Sequence, residues 1–149
     1  MAGSDLELHE PIHRYACRVL YGDTDSGGVV YYANYLRYFE AGRTEYMREL
    51  VASYRDLEAQ GFILPVVECH VRYKASARYD DLLVVETSLA EVKPLSCRFT
   101  YRISREDGKV LILGYTTHAA VDRAGKLVRL PADLIARLQG LAGKRENAG

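Results

Sequence analysis

One long amphipathic stretch, with strand-like sequence on both sides of it, limits the folds open to this chain more than any other feature. From Tyr32 onward, Tyr35, Leu36, Phe39, Tyr46, Met47, Leu50 and Val51 recur at steps of three and four. Arg37, Glu40, Thr44, Arg48 and Glu49 fall mostly elsewhere on the wheel. This spacing predicts a helix with a single apolar face, and that face has to be covered. Gly42 interrupts the pattern, although glycine inside a helix costs about 1 kcal/mol relative to alanine. Close approach of a packed sheet accounts for it. The helical pattern continues or restarts through "YRDLEAQ" and stops at Gly61, where a C-terminal cap is expected.

The flanking segments supply the cover. In "HRYACRVLY", Tyr15, Cys17, Val19 and Tyr21 alternate with Arg14, Ala16, Arg18 and Leu20, which predicts a strand ending at Gly22. Beyond the helix, "FILPVVECHVRYKA", "DLLVVETSLAEV", "SCRFTYRIS" and "KVLILGYTTHAAVD" read as strands. Pro65 places the first at an edge or bulge, and Asp107-Gly108 joins the last two as a hairpin. "LPADLIARLQGL" reads as a short terminal helix with Pro131 in its first turn. One strand, one long helix and a meander of about four strands make an α+β fold, with the helix packed on an antiparallel sheet.

With 149 residues the chain suits one domain able to bury a core without staples. The expected domain runs from 11 to 140, with flexible ends at 1–10 and 141–149. Lys plus Arg and Asp plus Glu balance at 20 each, so no global field draws the chain to nucleic acid. A local basic patch for a phosphorylated ligand stays open. Cys17, Cys69 and Cys97 are odd in number and form no C-x-x-C, which supports neither a disulfide framework nor a structural zinc site. A reducing, cytoplasmic setting is expected, since "MAGSDLELHEP" has no apolar signal core and no stretch is long and apolar enough to span a bilayer.

The chemistry concentrates in "YGDTDSGGVVYYANY", immediately ahead of the helix. As a calcium loop it has Asp23, Asp25 and Gly28 at positions one, three and six. Position twelve is Asn34, so the bidentate carboxylate is missing, and a strand precedes the loop. No phosphate-loop pattern is present, and two carboxylates would repel phosphate there. An Asx-type turn with glycines explains Asp23 and the glycines well. It does not explain the apolar run "VVYYANY", which predicts a buried helix start. Unpaired N–H groups at such a start can hold a developing oxyanion, a contribution of about 3–4 kcal/mol where it has been measured. A nearby carboxylate can attack a carbonyl or activate water. A thioester suits both groups, because its carbonyl is reactive and its thiolate leaves readily.

"YGDTDSGGVVYYANYLRYFEAGRTEYMREL" resembles the signature of hotdog-fold acyl-CoA thioesterases of the 4-hydroxybenzoyl-CoA thioesterase type. It is especially similar to their Tol–Pal-associated branch. "RYKASARYDDLLVVETSLAEVKPLSCRFTYRI" and "LPADLIARL" extend the likeness over roughly residues 12 to 138. The resemblance implies a sheet of about five strands wrapped around the long helix, and hydrolysis of an acyl-CoA to free acid and CoA. It implies Asp25 as nucleophile or general base, and the Tyr32 backbone N–H as the donor polarising the carbonyl. Gly28 and Val29 fall in the approach loop, and Tyr21 matches a tyrosine of the Tol–Pal branch. Lys93 and Ser96 stand where relatives contact the CoA pyrophosphate, with Arg72 and Lys74 as weaker candidates. Tyr31, Tyr35 and Tyr38 are candidates for an acyl pocket. No metal or separate cofactor is implied, since CoA arrives with the substrate. A homodimer or homotetramer is expected, and an acyl carrier protein or a cell-envelope partner fits the branch. One departure stands out. That branch commonly carries His where this chain has Tyr32, so proton transfer by an imidazole is not available at that position.

Three other classes stay open at this level, one of them a scaffold tied to the cell-envelope machinery, which only analogy with the Tol–Pal branch suggests. A hotdog hydratase or dehydratase needs a His-containing dyad, and none is found. A non-catalytic acyl-CoA or acyl-carrier-protein binding module would bind the ester without turnover. Of the histidines, His9 and His13 lie near a chain end. His70 and Cys69 are neighbours on a strand and point to opposite faces. His118 reads as a structural strand residue.

Overall fold

The computed structural model describes residues 6–142. Residues 1–5 and 143–149, where much of the two expected flexible ends falls, lie outside the described residues. At the described start, Leu6 is buried, and the His9 N–H donates to Ser88 Oγ at 3.3 Å.

Five strands form one antiparallel sheet: β1 (His13–Arg18), β2 (Val66–Tyr73), β3 (Leu82–Lys93), β4 (Ser96–Arg105) and β5 (Val110–Ala119). Their order across the sheet is β1-β3-β4-β5-β2. The helices are α1 (Tyr35–Leu50), α2 (Tyr54–Ala59) and α3 (Ala132–Leu141). The strands lie where the alternation predicts them, and the β4–β5 loop spans three residues, with Arg105 bonded to Lys109 across it and Gly108 at φ 90° in the left-handed position that such a loop favours. The order of the strands differs from a simple four-strand meander. β3 has β1 on one side and β4 on the other, so β2 pairs instead with the free side of β5. That leaves β2 as an edge strand, exposed along its length except at Val71, with a register shift between Val66 and Glu68 next to Pro65.

β1 is shorter than its alternation suggests. It stops at Arg18, and Tyr21 opens a 3-10 turn over Tyr21–Asp23 with its side chain in solvent. The long helix likewise begins with a 3-10 turn, Tyr32–Asn34, before α1 proper. After α1 the pattern restarts as α2, with Ser53 Oγ accepting the Asp56 N–H. Gly61 follows at φ 93°.

α1 lies across the sheet, chiefly over β3 and β1. A Cβ on Gly42 would stand 2.7 Å from both Thr87 Oγ1 and Val85 Cγ1. The glycine therefore lets helix and sheet touch, as its cost in the helix predicts. Gly114 on β5 makes the matching opening, where a Cβ would meet the Phe39 ring at 2.8 Å. Phe39 stacks on Tyr101 with centroids 4.2 Å apart, and Tyr46 meets Phe99 edge-on at 5.7 Å. These are fully buried rings, and truncating one such ring to alanine typically costs about 3–5 kcal/mol.

Polar groups also run beneath α1. Tyr101 Oη lies 2.6 Å from Thr116 Oγ1, which lies 2.8 Å from His118 Nε2. His118 Nδ1 lies 2.9 Å from the Leu64 carbonyl. A carbonyl can only accept, so Nδ1 carries the proton and Nε2 accepts from Thr116. Thr116 then accepts from Tyr101, whose oxygen takes an N–H of Arg43 at 3.4 Å. Every donor in the chain points the same way, toward Leu64, and the imidazole is neutral. Burial pushes the His118 pKa down to about 4, in agreement with that state.

Candidate active site

The loop 23–30 is closed by its own backbone. The Asp25 N–H donates to the Val29 carbonyl at 2.8 Å, and the Gly28 N–H returns to the Asp25 carbonyl at 3.0 Å. Thr24 and Val30 form an isolated bridge. Gly28 has φ 82°, a left-handed conformation that glycine adopts without strain. Val30 donates to the Ala77 carbonyl at 2.9 Å, and Val29 pairs with Arg78. These bonds seat the loop on the segment between β2 and β3. Arg78 lays Nη1 3.7 Å from where a Gly28 Cβ would stand.

The two carboxylates of this loop have opposite surroundings. Asp23 is buried. Its Oδ2 accepts the Leu20 N–H at 2.9 Å and the Tyr38 hydroxyl at 3.0 Å, and Arg37 stands 3.8 Å from Oδ1. Its carbonyl accepts the Tyr31 N–H at 2.9 Å and Asn34 Nδ2 at 2.8 Å. Burial first, and then the Asp23 carboxylate, hold the Tyr38 hydroxyl above its ordinary pKa. Asp25 is exposed. Its Oδ1 accepts the Gly27 N–H at 2.8 Å, and its Oδ2 has no hydrogen-bond partner among the described residues. The Asx turn expected of Asp23 is instead made by Asp25, through Oδ1 and the Gly27 N–H, which leaves its other oxygen open, while the Asp23 carboxylate is spent on Leu20 and Tyr38.

Asp23 also pins the helix start, since its carbonyl holds Tyr31 and Asn34 on either side of it. The Asn34 N–H returns to the Tyr31 carbonyl at 2.8 Å. Between them, the N–H groups of Tyr32 and Ala33 find no acceptor among the described residues. Such unpaired donors at the positive end of a helix suit a developing oxyanion. The expected burial of this start is not what the chain shows. Val30 and Tyr35 are buried, but Tyr31 is 45% and Tyr32 62% exposed. Tyr31 and Tyr32 pack on aromatic neighbours at the surface rather than into the core: Tyr31 on Tyr32 at 4.9 Å, and Tyr32 on Tyr73 at 6.3 Å.

Tyr73 was not distinguished by spacing, and it reaches the site from the end of β2. Its hydroxyl donates to the Tyr32 carbonyl at 3.1 Å across 41 residues, and its ring meets Tyr35 at 5.8 Å. The Tyr35 hydroxyl accepts the Ala77 N–H at 3.0 Å, so Tyr35 and Tyr38 spend their hydroxyls in the scaffold. Tyr21 turns its ring onto Tyr79 at 5.6 Å, while its carbonyl accepts the Thr24 N–H and hydroxyl at 3.1 and 2.7 Å.

Lys93 and Ser96 face each other at the β3–β4 turn, with Lys93 Nζ 3.3 Å from Glu91. β3 starts beside Arg18, at the end of the sheet that leads into the Asp25 loop. It then runs for twelve residues, roughly 35–40 Å at the usual rise. Within one chain Lys93 and Ser96 are therefore not brought to Asp25. Arg72 and Lys74, the weaker candidates, flank Tyr73 and line a cavity of about 460 Å³ with Arg102 and Leu113.

Comparison with known proteins bears on the fold and the family. The Thioesterase-like superfamily matches residues 19–138. An acyl-CoA thioesterase YbgC of Haemophilus influenzae is 45% identical over 92 residues, covering 61% of this chain and 68% of that protein. A DHNA-CoA thioesterase of Staphylococcus aureus superposes with a TM-score of 0.82 at 30% identity, covering 87% of this chain and 92% of that one. A Thermus thermophilus protein, TT1821, described as hypothetical, gives the same TM-score at 33% identity, with 87% and 98% covered. A five-stranded antiparallel sheet holding one long helix, an open carboxylate on the loop before that helix, and these likenesses lead to one assignment: the chain has the hotdog fold and belongs to the Thioesterase-like superfamily.

Proposed function

We propose that Asp25 and the start of α1 carry out thioester hydrolysis in this protein, which converts acyl-CoA to free acid and CoA. The observation that carries the reading is the pairing of an open carboxylate oxygen on Asp25 with the unpaired N–H groups of Tyr32 and Ala33. Names of relatives, including the acyl-CoA thioesterase of Haemophilus influenzae, support the reaction class.

The Tyr32 N–H donates to the thioester carbonyl oxygen and polarises it. Asp25 Oδ2 then either attacks the carbonyl carbon or takes a proton from an attacking water. Negative charge gathers on the carbonyl oxygen, where donors fixed before the reaction stabilise it without reorganisation. The C–S bond breaks, and the sulfur leaves with its electron pair as CoA thiolate. On the first route water opens the resulting anhydride, and on the second the acid forms directly. Neither route uses an imidazole, so the tyrosine at position 32 contributes through its main chain. Gly28 and Val29 shape the loop, Tyr31 and Tyr32 wall the approach, and Tyr21 fixes Thr24 through its carbonyl. The proposal needs water and these groups, with no separate cofactor.

A second copy of the chain belongs in this reading. β2 is an open edge that exposes Val66, Val67 and Tyr73, and unprotected edges of this kind invite pairing. Antiparallel pairing of two β2 strands would lay the Val66 end of one copy beside the Tyr73 end of the other. Val66 lies opposite His118, next to the strand partners of Ser96 and Cys97. The partner's Lys93 and Ser96 would thereby approach the end of the sheet that carries Asp25, where a cation can meet the phosphates of CoA.

Thiol release over a panel of acyl-CoAs, including enoyl-CoA with product analysis, tests the function. Turnover to free acid is expected. Tight binding of CoA esters without thiol release would instead identify a binding module, and hydration of enoyl-CoA would identify a hydratase.

A further inference from the structure

The peptide joining Tyr32 to Ala33 carries two groups that matter to the site: the Tyr32 carbonyl and the Ala33 N–H. Both lie in one rigid plane, so whatever fixes the carbonyl also aims the N–H. The carbonyl is held by Tyr73, whose hydroxyl donates to it at 3.1 Å from the last residue of β2. A donor at a peptide's oxygen also draws charge through the amide and strengthens its N–H as a donor, the cooperative effect seen in hydrogen-bond chains. The preceding peptide is treated alike, because the Tyr31 carbonyl accepts the Asn34 N–H at 2.8 Å while its partner group, the Tyr32 N–H, stays open. Two consecutive peptides are therefore polarised from the carbonyl side and unpaired on the N–H side.

The first peptide gets its donor from the turn itself. The second gets it from a different element, 41 residues away in sequence. The Tyr73 ring is half exposed and set edge-on to Tyr32 and Tyr35 at 6.3 and 5.8 Å. These contacts hold the ring, so loss of the hydroxyl alone would leave its packing in place.

We propose that Tyr73 is a positioning residue of the thioesterase site, whose hydroxyl orients and polarises the Tyr32–Ala33 peptide so that the Ala33 N–H serves as a second oxyanion donor beside that of Tyr32. This rests on the function proposed above. Burial, the first cause, raises the Tyr73 pKa above its ordinary value, so the group remains an O–H donor throughout the neutral range.

The test is Tyr73→Phe, which removes the hydroxyl and keeps the ring. In thiol-release assays kcat is expected to fall about 3–10-fold, the size of one modest hydrogen bond, with KM and Tm unchanged. Two further variants separate positioning from packing. In an Asp25→Asn background, a bound acyl-CoA can be observed by infrared difference spectroscopy. Adding Tyr73→Phe should move the thioester carbonyl stretch to higher frequency, as a less polarised C=O requires. If wild type turns over acyl-CoA while Tyr73→Phe keeps full kcat and an unshifted carbonyl band, the positioning role is wrong and the thioesterase reading survives. Loss of Tm without a shift of the band would also overturn it, by reducing Tyr73 to a structural residue. If wild type releases no thiol from any acyl-CoA, the underlying reading fails first.

Discussion

Along α1 the chain meets two groups of polar atoms. At the start are Asp25 and the N–H groups of Tyr32 and Ala33. Beneath the middle are Arg43, Tyr101, Thr116 and His118. In the second group hydrogen bonds are handed on in one direction, from Arg43 Nη1 through Tyr101, Thr116 and His118 to the Leu64 carbonyl. In the first, one carboxylate oxygen and two N–H groups have no partner among the described residues. Buried polar atoms need such matching, because an unpaired one costs roughly 1–3 kcal/mol. Exposed ones do not, and their free valences can be offered to a substrate. The same distinction separates two residues of one loop. Asp23 gives its carboxylate to Leu20 and Tyr38, whereas Asp25 keeps an oxygen open. The middle of α1 should therefore govern stability, and its start should govern turnover.

The largest expected effect is on the buried group and is read by pH. In an unfolded chain His118 titrates near its ordinary value of 6.5, and in the fold burial lowers it to about 4. Between those values the unfolded chain binds a proton that the folded chain refuses. The contribution of His118 is complete above pH 6.5 and is lost as pH falls toward 4, to a total of about 3 kcal/mol. Urea denaturation across that range should show this slope, and a His118→Asn variant should lack it. Glu86, whose pKa the Arg102 hydrogen bond lowers below 4.5, affects only more acidic solutions.

Thr116→Val comes next. It keeps the shape of the side chain but strands the Tyr101 hydroxyl and His118 Nε2, and should cost roughly 2–3 kcal/mol with kcat retained. A drop in kcat at unchanged stability would undo the division between the two groups. Gly42→Ala should cost about 1–3 kcal/mol by overpacking against Val85 and Thr87, although alanine is the better helix former. A rise in Tm would mean that helix and sheet can move apart freely. Asp23→Asn should cost about 1–2 kcal/mol, through weaker acceptance from Leu20 and Tyr38. It should lower kcat only as far as it loosens the Asp25 loop.

Much of this was legible in the sequence, because it depends on local periodicity. The strands and α1 follow from alternation and three-four spacing, and Gly42 announced a close sheet before any contact was known. The place of β2 was not legible. Which edge it joins depends on β1 already occupying one side of β3, a fact about partners rather than about the strand itself. At the site, Asp23 and Asp25 look alike as letters, and the loop resembles any Asx turn. Only the burial of one and the exposure of the other divide them. Tyr73 left no signal, since nothing in β2 records that its last side chain will reach the Tyr32 carbonyl. The aromatic run after the loop did misdirect in part: Tyr35 is buried as the run suggests, yet Tyr31 and Tyr32 form a cluster at the surface.

Asp25→Asn, assayed for thiol release and for thermal unfolding in the same preparation, tests the central claim most directly. Loss of a nucleophile or general base should lower kcat by about 100-fold or more, while Tm stays within the small range of an exposed surface change. Full kcat in that variant would contradict the account.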